Sequence, residues 1–186
     1  MLEHIPAFIG KKLRNVRAGH SKLAVVEICK TVDPVTFQLL SPAFEDGARL
    51  PARFTADAEG QAISPPLEWS GAPSGTSGMA LIVEDPDAPS AAPLCHWLAW
   101  GLELVSDHLG EGEAPPMLGR NSYQKQGWLA PDPPTGHGSH EYVFQLFALS
   151  SPLDLDEGAG RSAFIKAISD RVIGVALLTG EFARPG

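Results

Sequence analysis

Cysteine is nearly absent from this chain: Cys29 and Cys95 are the only two in 186 residues. Two thiols exclude the disulfide framework that staples small secreted domains, and their separation fits no metal-ligand spacing. Both are expected to be reduced, with Cys95 a small buried residue. Basic charge is scarce as well. Fourteen Lys and Arg stand against 22 Asp and Glu, a net charge of −8. That balance argues against nucleic acid as a partner, because nucleic-acid binders present a basic surface. No apolar run approaches the roughly 20 residues of a transmembrane helix. The start, Met1-Leu2-Glu3-His4-Ile5-Pro6, has neither the basic opening nor the apolar stretch of a signal peptide. A cytoplasmic location is the expectation that follows. Also missing are HxH and HExxH pairs, a Gly-x-Ser-x-Gly elbow and a Cys-His-Asn context for either thiol.

Glycine and proline, in contrast, are plentiful at 19 and 17 residues. They punctuate the chain at Ser64-Pro65-Pro66, Gly71-Ala72-Pro73, Ala114-Pro115-Pro116 and Pro131-Asp132-Pro133-Pro134. Between them lie short apolar runs that read as strands: residues 37–40, 53–55, 79–83, 96–102, 141–149 and 174–179. Residues 162–173 carry Phe164, Ile165, Ile168, Val172 and Ile173 at helical spacing. The expected fold is mainly β, a sandwich with a few peripheral helices, including this C-terminal one.

Charge is unevenly placed. Residues 1–36 hold six Lys and Arg against three Asp and Glu, and residues 37–186 hold eight against nineteen. The expected organisation is therefore a basic N-terminal helical arm, 1–36, before a β-sandwich domain, 37–186. Within the arm, Phe8, Ile9, Leu13 and Val16 alternate with Lys11, Lys12, Arg14 and Arg17 as a short amphipathic helix would. Such a helix is expected to pack on its own domain or on a second subunit, the latter giving a homodimer, with an anionic membrane surface as the alternative. Residues 23–28 continue the arm or begin the sheet.

The candidate site starts at Asp85-Pro86-Asp87-Ala88-Pro89, directly after the apolar run at 79–83. Each proline fixes its own φ and turns the preceding residue away from helix. The result is a stiff turn that holds carboxylates at the end of a core strand. Within a strand alternate residues share a face. His140 and Tyr142 thus point the same way, followed by Phe144 and Leu146. His96, Leu98 and Trp100 are expected to do the same on their own strand. If those strands are neighbours, His96, His140, Tyr142 and Asp85 or Asp87 line one small cavity. A carboxylate beside an imidazole favours the imidazolium. Two imidazoles and a phenol then offer donors to a phosphate or carboxylate oxygen. Gly136 and Gly138 admit a close backbone approach, while His137 between them reads as solvated. Zinc held by His96, His140 and a carboxylate is the rival chemistry, without the usual spacing to support it. A hydrolase with one histidine as general base is the rival function.

Taken together, Asp85-Pro86-Asp87-Ala88-Pro89, His96-Trp97, and Pro133-Pro134-Thr135-Gly136 leading to His140-Glu141-Tyr142 resemble the phosphatidylethanolamine-binding proteins. The resemblance is to their bacterial Raf-kinase-inhibitor-like branch, and it covers residues 41–184. Supporting matches are Ile63-Ser64-Pro65-Pro66-Leu67-Glu68-Trp69, Gly119-Arg120-Asn121-Ser122 and Gly180-Glu181-Phe182. It implies a β-sandwich with a shallow pocket for phosphate-like or carboxylate anions, including phospholipid headgroups. Ligand contact is implied for Asp85, His96, His140 and Tyr142, and pocket shaping for Pro86, Asp87, Pro89, Pro133, Pro134 and Gly136. It implies a binding protein rather than an enzyme, with no metal and no cofactor. Some members act on a protein partner, as regulators of kinases, proteases or transcription complexes. Three positions depart from the family pattern: Leu94 stands for an aromatic residue, Glu141 for Arg and Ala130 for Gly.

Overall fold

Apolar stretches without a polar face become strands that are covered on both sides. A computed structural model describes residues 15–29, 37–102, 104 and 107–184 of the chain. Among these, the strands are β1 (Gln38–Leu40), β2 (Ala48–Arg49), β3 (Leu67–Ser70), β4 (Gly78–Asp85) and β5 (Leu94–Leu102), then β6 (His108–Leu109), β7 (Met117–Leu118), β8 (His140–Leu149) and β9 (Val172–Phe182). The α-helices are α1 (Ala24–Ile28) and α2 (Arg161–Ile168). The fold is mainly β, as expected. A three-stranded sheet runs β1-β3-β6 and a six-stranded sheet runs β2-β9-β8-β4-β5-β7. The larger sheet is antiparallel except where β2 joins β9.

Strand β4 shows why the run at 79–83 is apolar throughout. Met79, Leu81 and Val83 face the smaller sheet, in one cluster with Leu39, Leu67, Trp69, Phe144 and Leu146. Ala80 and Ile82 face the other way, in a second cluster with Ala24 and Ile28 of α1 and Phe164 and Ile168 of α2. The molecule thus has three layers: small sheet, large sheet, helices.

The helical layer is held by one buried carboxylate. Glu84 Oε2 accepts from the Ala24 amide and from Gln145 Nε2, each at 2.8 Å, and Glu84 Oε1 pairs with Arg161 Nε. The Val25 amide donates to Gln145 Oε1 at 2.7 Å. Helix α1 has no capping side chain of its own, so sheet residues satisfy its first amides. Of residues 23–28, Ala24–Ile28 are helix rather than the start of the sheet, and they pack on the sandwich. Of the helix expected over 7–16, residues 7–14 lie outside the described residues, and Asn15 and Val16 are not helical.

Two other local readings are corrected. Residues 53–55 are not a strand, because Ala52–Phe54 form a 3-10 turn with the Phe54 amide bonded to Pro51 O. The C-terminal helix stops at Ile168, and Val172 and Ile173 start β9. Their helical spacing loses to an eleven-residue strand whose pairing with β8 extends from Leu149–Val172 to His140–Phe182.

Phe164 is fully buried and lies with its ring centroid 6.1 Å from that of Trp100. Phe164→Ala should lower the unfolding free energy by about 3–5 kcal/mol. Urea denaturation monitored by circular dichroism checks this as a lower midpoint with an unchanged slope.

Candidate anion-binding site

The site lies where β4, β5 and β8 end together. The strands carrying His96 and His140 are not adjacent, contrary to the simplest reading; β4 runs between them and delivers Asp85. The facing of His96 also differs from expectation. Leu98 and Trp100 point to the helical layer, whereas His96 packs edge-on to Tyr142 at 5.0 Å between ring centroids. A β-bulge is the cause: Val83 pairs with Trp97 and Glu84 with Cys95, which leaves His96 as an extra residue. The bulge sends His96 and Trp97 to one side, where both rings meet Trp128. Strict alternation cannot reveal this.

Asp85, His96, His140 and Tyr142 line one cavity of about 130 Å³, together with Pro133 and Pro134. Pro86, Asp87, Pro89 and Gly136 are not on its wall. Asp87 acts from behind, accepting the Glu141 amide at Oδ2 (2.8 Å) and pairing through Oδ1 with Arg17. The Asp87 amide in turn donates to Asp85 Oδ1 at 2.8 Å, closing the turn that the prolines preset. Gly136 has φ +79°, a left-handed conformation open to glycine, in a turn closed by the His137 amide on Pro134 O. Sequence reasoning did not assign Asp132 and Tyr123, which also line the cavity. Asp132 pairs with Arg184 at 2.6 Å. Its Asp-Pro context repeats that of Asp85 and was the available signal.

His137 is wholly buried rather than solvated, with Nδ1 2.6 Å from His140 Nε2. His140 Nδ1–H donates to Asp85 Oδ2 at 2.8 Å. Both ring nitrogens of His140 are thus engaged by protein groups, in the order Asp85, His140, His137. Among the described residues no three His, Cys, Asp or Glu side chains are grouped to hold a metal ion.

His96 differs. Its Nδ1–H donates to Leu129 O at 2.7 Å, which leaves Nε2 as the lone-pair nitrogen. That Nε2 and the Tyr142 hydroxyl are buried without a hydrogen-bond partner. At His96 the expected bias toward the imidazolium is reversed in direction: burial lowers its pKa from 6.5, against the opposing pull of Asp85. Burial likewise raises the Tyr142 phenol, so it stays protonated and able to donate.

Residues 40–183 match the family model described as phosphatidylethanolamine-binding protein. A UPF0098 protein of Methanothermobacter thermautotrophicus is 39% identical over 153 residues, covering 78% of this chain and 98% of that protein. A Mycobacterium tuberculosis protein named "Putative lipoprotein LppC" is 37% identical over 152 residues, covering 81% of this chain and 73% of its own length. Two solved structures share the fold: the homologue CT736 of Chlamydia trachomatis, with TM-score 0.75 and 32% identity, and YbcL of E. coli, with 0.74 and 27%. Each covers 80% of this chain and 98% of its own. The chain belongs to the phosphatidylethanolamine-binding protein family, and its fold is that of a binding protein of this type. No helix among the described residues is long and apolar enough to cross a membrane.

The lowered pKa of His96 has a definite sign. The unfolded chain takes up a proton near pH 6.5, and the folded one does so only at lower pH. The stability associated with neutral His96 is complete above about 6.5 and declines as pH falls below it. A His96→Gln variant should show a flatter stability curve between pH 7 and 5, read by thermal melts across that range.

Proposed function

We propose that the protein binds a small phosphate or carboxylate group, such as a phospholipid headgroup presents, in the cavity at the ends of β4, β5 and β8. The observation that carries this is that two residues of the cavity lining, His96 and Tyr142, each hold a buried polar atom without a hydrogen-bond partner, Nε2 and the hydroxyl. An unsatisfied buried polar group costs free energy, so such a pair marks a place for a polar ligand. The cavity, of about 130 Å³, has room for a small polar group. Asp85, His140, Pro133 and Pro134 shape the remaining wall.

A neutral His96 offers an acceptor, and a fully ionised oxyanion offers only acceptors. Binding therefore requires a proton between ligand and His96 Nε2, carried either by a protonated ligand oxygen or by the imidazolium. Affinity for phosphate should rise as pH falls from 8 to 6.

The hydrolase reading has less support. Both ring nitrogens of His140 are engaged, and the nearby Ser139 hydroxyl is bonded to Glu181 at 3.0 Å. The remaining candidate base, His96 Nε2, is oriented by the Leu129 carbonyl rather than by a carboxylate. A phosphatase and esterase substrate panel separates the two readings.

The direct test is a titration of inorganic phosphate and of phosphoethanolamine while following the imidazole NMR signals of His96 and His140. Saturable shifts at millimolar ligand are expected, with binding about ten- to a hundredfold weaker in Tyr142→Phe from the loss of one charge-assisted hydrogen bond. Unchanged signals at millimolar ligand would sink the reading.

A further inference from the structure

Strands β4 and β8 are joined by a regular ladder only as far as the Glu84–Val143 pair. Beyond it lie Asp85 on one side and Tyr142 and His140 on the other, so the strands part where the cavity opens. Each strand keeps its outer partner here, β4 with β5 through Asp85–Leu94 and β8 with β9 through His140–Phe182, so it is the β4–β8 seam itself that needs other contacts. Part of the answer is the Asp85–His140 hydrogen bond and the Asp87 contact with the Glu141 amide. Further contacts across the seam come from a segment before residue 40, where the family match begins.

That segment spans the gap. On the β4 side, the Gly19 amide donates to Pro86 O at 2.8 Å, and the Ala18 amide donates to Ala88 O at 3.0 Å. On the β8 side, His20 Nε2 lies 2.7 Å from Glu141 Oε2. Arg17 touches both sides, through its ion pair with Asp87 and through Nη1 to Ser139 O at 3.4 Å. Farther along, the Ala24 amide is anchored on Glu84, so the segment is fixed at both ends. Asp87 is 7% exposed. Without Arg17 its carboxylate would keep the Glu141 amide but lose its cation, in a setting where an unpaired charge is disfavoured.

We propose that Arg17 is a positioning residue of the cavity, and that residues 17–25 form a strap that holds Asp85 against His140 where the ladder ends. Docking of the strap and occupation of the cavity are then linked, and each strengthens the other. The link to affinity rests on the anion-binding reading above; the geometric role does not.

The test uses the full chain with Arg17→Gln, Arg17→Lys and Arg171→Gln. Arg171 is bonded at the opposite end of β8, at Ser150 and Pro152, so its variant controls for loss of a surface charge. The first readout needs no ligand: the ring nitrogen shifts of His140, which report the Nδ1–H held by Asp85. In Arg17→Gln these should move toward averaged tautomers, with Arg17→Lys restoring them in part and Arg171→Gln leaving them unchanged. The second readout is the Kd for inorganic phosphate, expected to be about fivefold or more weaker in Arg17→Gln alone. Unchanged His140 shifts in Arg17→Gln overturn the strap. Altered shifts with an unchanged phosphate Kd overturn its linkage to binding. If the unmodified protein binds no phosphate, the anion reading fails, and the His140 shifts alone decide the positioning role.

Discussion

Glu84 and Asp85 are consecutive residues whose carboxylates leave β4 on opposite faces of the large sheet, and much of the molecule is tied to one or the other. Glu84 caps α1 and pairs with Arg161 at the start of α2. Asp85 holds His140 and closes the turn that carries Asp87. The period of two along a strand makes this division unavoidable. Both carboxylates are buried, and each survives burial because its oxygens are hydrogen-bonded. One strand end thus organises the helical layer behind the sheet and the cavity in front of it.

The cavity combines a stiff polar frame with two buried atoms that lack a hydrogen-bond partner. Asp85, His140 and His137 bond to one another in sequence, and Leu129 O fixes the tautomer of His96. Aromatic rings pack behind, with Trp128 stacked 6.0 Å from Phe144 and edge-on to Trp97. In such a frame His96 Nε2 and the Tyr142 hydroxyl have little freedom to find other partners. That pre-organisation lowers the ordering cost of capturing a small group.

The arm lies before the stretch matched by the family model. Relatives covering about four-fifths of the chain carry the sandwich, and the family match starts at residue 40. The segment from Arg17 to Ile28 nevertheless makes buried contacts to strands β4 and β8, Glu84 and Gln145 among them. A basic stretch before an acidic body is what charge counting detects. Its docking on the Asp87 turn and on Glu141 is what the charges accomplish.

Much was legible along the chain, and the limits are physical. The two-sided burial of β4, the proline-framed turn, and His140 and Tyr142 on one face follow from local rules: fixed proline φ and alternating strand faces. So does the mainly β class, from short apolar runs between glycine and proline. The order of strands does not, because non-adjacent segments choose their neighbours by packing. It is β4, not sequence proximity, that brings His96 and His140 together. The bulge at His96 arises from register between two strands and reverses a face that alternation assigns. Val172 and Ile173 fit a helix locally and are claimed by β8 through long-range pairing. The burial of His137 and the reach of Arg17 to Asp87, seventy positions away, depend on chain segments meeting in space. Sequence alone determined the kinds of groups and the default alternation of their faces; tertiary structure decided which became partners and, at the His96 bulge, which way a side chain turned, because pairing depends on segments meeting in space.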